Sequence, residues 1–157
     1  MKILIAVDGS SCSEFAVMSV ANRPWPVETS VRVISAVDVR IAPPPGGFLV
    51  PDSHYMKLLG EHQRISRDAV EKAEARLLES NAVRPSALRV ETEIIIGIAK
   101  DVILQEAEQW EADLIVLGSH GYQGLKRLWL GSVSSAVAAH APCSVGIVRD
   151  AAVENTH

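Results

Sequence analysis

The chain has 157 residues, 48% of them hydrophobic, which is enough for one core of ordinary size and too few for two. Charged residues make up 22%, the formal net charge is −4 and aromatic residues contribute 4%. That balance gives no reason to attract a polyanion and no platform for stacking single-stranded bases, so no nucleic-acid partner is expected. No apolar run approaches the roughly 20 residues of a spanning helix, and no membrane association is expected. Cys12 and Cys143 stand far apart without a CxxC, and the first residues do not read as a leader, so a reducing, cytoplasmic setting is expected. The five histidines are scattered, His54 and His62 being the nearest pair, and no metal site is predicted.

In chain order, Lys2 to Val7 (KILIAV) is a continuous aliphatic run of the kind buried on both faces of a parallel sheet. It stops at Asp8-Gly9-Ser10. Ser11 or Ser13 then caps a helix with the stripe Ala16, Val17, Val20 and Ala21, closed by Pro24 and Pro26. A second strand runs from about Val31 to Val37. Arg40 to His54, with four prolines and two glycines, reads as a surface loop. From Tyr55 to Ser80 the chain predicts a long helix with Ile65, Ala69, Ala73 and Leu77 on one buried face, ended by Asn81 and Pro85. Leu88 to Ile96 is the third strand, and Gly97 opens a helix with the stripe Ala99, Ile103, Ala107 and Trp110. Asp113 to Leu117 (DLIVL) is the fourth, followed by a glycine-rich segment, a helix from Ser132 to His140 stopped by Ala141-Pro142, and a fifth strand at Ser144 to Val148.

Strict alternation of apolar strands and helices predicts a doubly wound α/β domain over residues 1–149: a five-stranded parallel sheet with helices on both faces. The tail 150–157 has little to bury and is expected to fray. In such sheets ligands sit beyond the carboxyl ends of the strands, at the point where neighbouring connections turn to opposite faces.

Gly118-Ser119-His120-Gly121 leaves an apolar strand, and Gly131-Ser132 begins a helix. Free N–H groups and the positive end of the helix dipole attract anions at such a place. Glycines at 118 and 121 would let the backbone come close to a sugar or phosphate and adopt positive φ. Gly131, Ser132 and Ser134 offer N–H and hydroxyl donors. Glycines in a strand-to-helix loop, taken alone, more often serve turn geometry than a ligand. Asp8 stands at the mouth of the sheet as a ligand candidate, although Asp is also common in Asp-Gly turns. His120 is either near a phosphate or passive, and Cys12 is either a helix-start thiol of lowered pKa or a packing residue. The loop Ile41 to Pro51 suits a lid or a partner contact.

The spacing Gly118-x2-Gly121-x9-Gly131-Ser132 is the pattern G-x2-G-x9-G-[S/T], which closely resembles the motif of ATP-binding universal stress proteins. The resemblance extends to Val7-Asp8-Gly9-Ser10, Gly97, Asp113 to Gly121, Leu130 to Val133, and Ala141 to Val145. It implies a strand order of 3-2-1-4-5. It also implies a nucleotide site in which Asp8 lies beside base and ribose, and Ala36 or Val37 contacts adenine through its backbone. Gly118 and Gly121 would border the ribose and α-phosphate, with Gly131, Ser132, Val133 and Ser134 at the distal phosphates, and Leu117 and His120 are counted among the candidate nucleotide-binding residues. ATP, or AMP or ADP, is the implied ligand, with Mg²⁺ held mainly by the phosphates. A homodimer through Ser144 to Val148 is implied as well. Gly124, Lys126 and Arg127 depart from the pattern; they either loosen the loop and add cations near the phosphates or are solvated surface residues. The function expected is a nucleotide-binding stress-response switch with an unidentified protein partner and no catalytic set. A slow ATPase or autophosphorylating protein is one alternative, and a structural dimer without nucleotide is another.

Overall fold

The structure, a computed structural model, describes residues 1–38, 52–81, 87–121 and 130–149. The expectations for the loop 41–51, for Gly124, Lys126 and Arg127, and for the tail 150–157 lie outside the described residues. Five strands alternate with four helices: β1 (Lys2–Ala6), α1 (Ser11–Ala21), β2 (Ser30–Val37), α2 (Asp52–Asn81), β3 (Arg89–Ile96), α3 (Ala99–Gln109), β4 (Leu114–Gly118), α4 (Ser132–His140) and β5 (Ser144–Val148). All strand pairs are parallel, in the order β3-β2-β1-β4-β5. The doubly wound sheet and its order are those expected.

Alternation along β1 divides the core. Ile3, Ile5 and Val7 join Val17, Val20, Ala69, Ala73 and Leu77 beneath α1 and α2, while Leu4 joins Ile103, Ile115, Leu117 and Val137 beneath α3 and α4. The connection after β1 therefore turns to one face and the one after β4 to the other. The switch point lies between the carboxyl ends of these two adjacent strands. Among the described residues, no helix is long and apolar enough to cross a membrane.

Four local expectations change. Ser10, rather than Ser11 or Ser13, caps α1: its hydroxyl accepts from Ser13 N at 3.3 Å. Asp8 Oδ1 accepts from both the N–H and the hydroxyl of Ser10, which holds Ser10 in the extended conformation a cap requires. Next, α2 begins at Asp52, three residues ahead of Tyr55. Ala69, Ala73 and Leu77 are buried as expected, yet Ile65 is 40% exposed, because it overhangs a cavity between α1 and α2. Finally, of the stripe expected on α3, Ile103 and Ala107 are buried but Ala99 and Trp110 are only half-buried, and on the edge strand β3 Ile96 is 57% exposed while Glu91 and Glu93 give the edge charge.

Candidate functional site

Gly9 turns the chain out of β1 with φ 81°, a conformation glycine adopts without strain. Asp8 is anchored on both sides of that turn. Its N–H reaches Ser13 Oγ at 3.5 Å, and its Oδ1 receives Ser10 Oγ at 2.6 Å and Ser10 N at 3.0 Å. Its Oδ2 faces Gly121, where a β-carbon would stand only 2.7 Å from the oxygen.

The end of β4 is pressed against α1. A β-carbon on Gly118 would lie 2.7 Å from the carbonyl carbon and Cβ of Cys12. Ser119, 1% exposed, then ties three elements together. Its N–H donates to Val148 O at 2.7 Å, while its carbonyl accepts from Gly131 N at 2.8 Å and Ser134 Oγ at 3.0 Å. His120 follows: its carbonyl accepts from Ser10 Oγ at 3.4 Å and its Nδ1 lies 3.0 Å from Ser119 Oγ. Its Nε2 is buried without a hydrogen-bond partner among the described residues. A buried polar atom left in that state is uncommon and calls for a partner.

Gly131 is the N-cap of α4 and supplies no side-chain cap. The N–H groups of Ser132, Val133 and Ser134 thus lie in the first turn, where a helix has no carbonyl of its own to offer, and no acidic residue stands there. Ser132 is exposed, so the positive end of the dipole is open to an incoming anion.

The fold thus gathers Asp8, Gly118, His120, Gly121, Gly131, Ser132, Val133 and Ser134 at one mouth. Ala36 and Val37 end the neighbouring strand β2; Ala36 packs on the α3–α4 core, and Val37 is buried with its carbonyl accepting from Gly97 N at 3.0 Å. Leu117 points into the core at 3% exposure, leaving its backbone at the mouth.

Two details of the expected chemistry are corrected. Among the described glycines, Gly9 and Gly97 have positive φ and Gly118 and Gly121 do not; Gly118 is required by close packing against the Cys12 backbone, and Gly121 leaves room for the Asp8 carboxylate. The Ser134 hydroxyl, in a residue 3% exposed, is committed to the carbonyls of Gly118 and Ser119, which leaves only its N–H for an anion. Sequence reasoning passed over Ser10 and Ser119, which brace Asp8 and join the two loops. The Asp8-x-Ser10 spacing, that of an Asx turn before a helix, was the available signal for Ser10.

Against known proteins, the model of the universal stress protein family matches residues 1–149. A universal stress protein of Methanocaldococcus jannaschii is 32% identical over 94% of this chain and 81% of its own length. The universal stress protein UspA from Lactobacillus plantarum superposes with a TM-score of 0.76 at 30% identity, covering 95% of this chain and 97% of that one. A universal stress protein family member from Arabidopsis thaliana, solved with AMP bound, shares the fold with a TM-score of 0.65 at 18% identity over 99% of this chain and 95% of that one.

Proposed function

Since this chain belongs to the universal stress protein family, we propose that it binds an adenine nucleotide, ATP in the first instance, across the mouth of β1 and β4. The observation that carries this reading is the meeting of the Asp8 turn with the uncapped start of α4 through the loop after β4: Ser10 Oγ donates to His120 O, while Gly131 N and Ser134 Oγ donate to Ser119 O. An acidic group suits ribose hydroxyls, which donate, and bare helix N–H groups suit phosphates, which accept.

The groups present fit such a ligand. The N–H donors of Ser132, Val133 and Ser134 would receive the distal phosphates, and backbone at Gly118 and Gly121 would border the ribose and α-phosphate. Ala36 or Val37 would meet the adenine. The unpartnered Nε2 of His120 offers one further hydrogen bond at the same mouth. Mg²⁺ would travel on the phosphates and neutralise their charge, leaving the protein to bind and orient. The state of the bound nucleotide would be read by partner proteins, with the protein acting in the cytoplasm as a homodimer joined through the edge strand β5.

The test is to denature the purified protein, assay the supernatant for adenine nucleotide, and titrate the nucleotide-free protein with ATP and Mg²⁺ by calorimetry. Released nucleotide or saturable heat is the expected result. Neither, in protein whose circular dichroism is that of a folded α/β domain, would overturn the proposal.

A further inference from the structure

A second concavity lies on the other side of the β1–α1 turn. Val7 points away from the mouth, into the layer of α1 and α2, and there it lines a cavity of about 340 Å³. The sequence leaves this space open. Val17 on α1 and Ala69 and Ala73 on α2 line it, the alanines being small residues in a stripe whose next member, Leu77, is fully buried. Met18 and Ile65 form the lip, and the 40% exposure of Ile65 places apolar surface in water that an occupant would cover.

The rim carries two acids, Glu14 and Asp68, and two bases, Lys72 and Arg76. Asp68, Lys72 and Arg76 follow one another at single helical turns along α2, an arrangement suited to ion pairing within the helix. Arg76 instead turns to Glu79 at 3.4 Å, and Glu14, Asp68 and Lys72 form no ion pair among the described residues. A simple anion entering here meets Glu14 and Asp68, and a simple cation meets Lys72 and Arg76; each is opposed by two like charges. A molecule carrying both charges close together, with a compact apolar body for the Val7–Val17–Ala69–Ala73 floor, satisfies all of these features. The volume lies near the lower end of the roughly 300–1,000 Å³ range of small-molecule sites, which restricts the occupant to a small ligand.

We propose that this cavity is a second ligand site, distinct from the nucleotide mouth, for a free hydrophobic α-amino acid. Its ammonium lies toward Glu14 and Asp68, its carboxylate toward Lys72 and Arg76, and its side chain on the alanine floor. The site does not depend on the nucleotide reading, because none of its charged groups belongs to the mouth.

The probes are L-leucine and L-phenylalanine, titrated into the intact protein by calorimetry, with hexanoate and hexylamine as single-charge controls. The expected result is saturable binding of at least one amino acid and weaker binding of both controls. Lys72→Glu, an exposed change that leaves the core untouched, is expected to weaken the amino acid about tenfold or more by setting a like charge against its carboxylate. Ala69→Phe, which fills the floor, is expected to abolish binding, and Lys72→Glu keeps the test decisive if that variant does not fold. No saturable binding of either amino acid overturns the proposal. So does hexanoate or hexylamine binding as tightly as the amino acid, or binding that Lys72→Glu leaves unchanged.

Discussion

Replacing Ser132 by Glu separates the anion-binding role of α4 from its structural role. Ser132 is the first residue of the helix, exposed, with no acidic neighbour in the first turn. A carboxylate there complements the helix dipole and is expected to stabilise the fold by about 0.3–1 kcal/mol. The same carboxylate would stand beside the phosphates. At about 4 Å, two unit charges repel by about 1 kcal/mol under full water screening and about 4 kcal/mol at the effective dielectric of a protein surface. ATP affinity is therefore expected to fall by a factor between about five and several hundred, while the denaturation midpoint holds or rises. Ser132→Gln, of similar size and uncharged, should bind much as the parent does. Because the Debye length shrinks from about 10 Å at 0.1 M salt to about 3 Å at 1 M, the gap between the two variants should narrow at high salt. Calorimetric titration beside urea unfolding reads both quantities. Equal ATP affinity for the Glu and Gln variants, or loss of affinity only in step with loss of stability, would mean that no phosphate lies at the start of α4.

Other positions give further expectations. Gly118→Ala places a methyl group 2.7 Å from the Cys12 backbone, which cannot rotate aside; a loss of about 1–3 kcal/mol is expected, and an unchanged urea midpoint would show that α1 is free to move. Ser10→Ala removes the α1 cap and one of the bonds to Asp8 Oδ1, with an expected loss of about 1 kcal/mol in the same assay. Arg32 bridges Glu91 at 2.9 Å and Glu106 at 3.2 Å and lies 4.7 Å from the centre of the Trp110 ring. Because the bridge to Glu91 is partly solvated, Arg32→Ala is expected to cost only about 1 kcal/mol. Burial pushes the Cys143 thiol above its ordinary range, aided by the charge of Asp113 and opposed by the backbone hydrogen bond with Ile115. Its thiolate is thus scarcer near neutral pH than that of a free thiol, and disulfide reagents should modify it more slowly than glutathione, the difference closing as pH rises.

The central strands were legible because Ile3 to Val7 and Leu114 to Leu117 are apolar without interruption, as suits a strand covered on both faces. The place of β3 at an edge followed from the strand order that the resemblance implied, whereas the exposure of Ile96 could not be read from the strand's own apolar residues. Ile65 was misplaced for a similar reason: helical periodicity names a face, and only the opposing helix decides whether that face is filled. At the mouth, the glycine spacing identified the right positions with an incomplete cause. Gly118 and Gly121 look alike in the sequence, yet Gly118 is an excluded-volume requirement of the Cys12 backbone while Gly121 makes room for the Asp8 carboxylate. The cap was expected at Ser11 or Ser13, and it is the carboxylate of Asp8 that selects Ser10 instead.

Amide chemical shifts recorded while ATP and Mg²⁺ are added to the ¹⁵N-labelled protein locate the bound nucleotide residue by residue. If the mouth of β1 and β4 is the nucleotide site, the N–H signals of Gly121, Ser132, Val133 and Ser134 will move together and saturate at one concentration. Stationary signals at these four positions, with saturable shifts elsewhere or none at all, would contradict it.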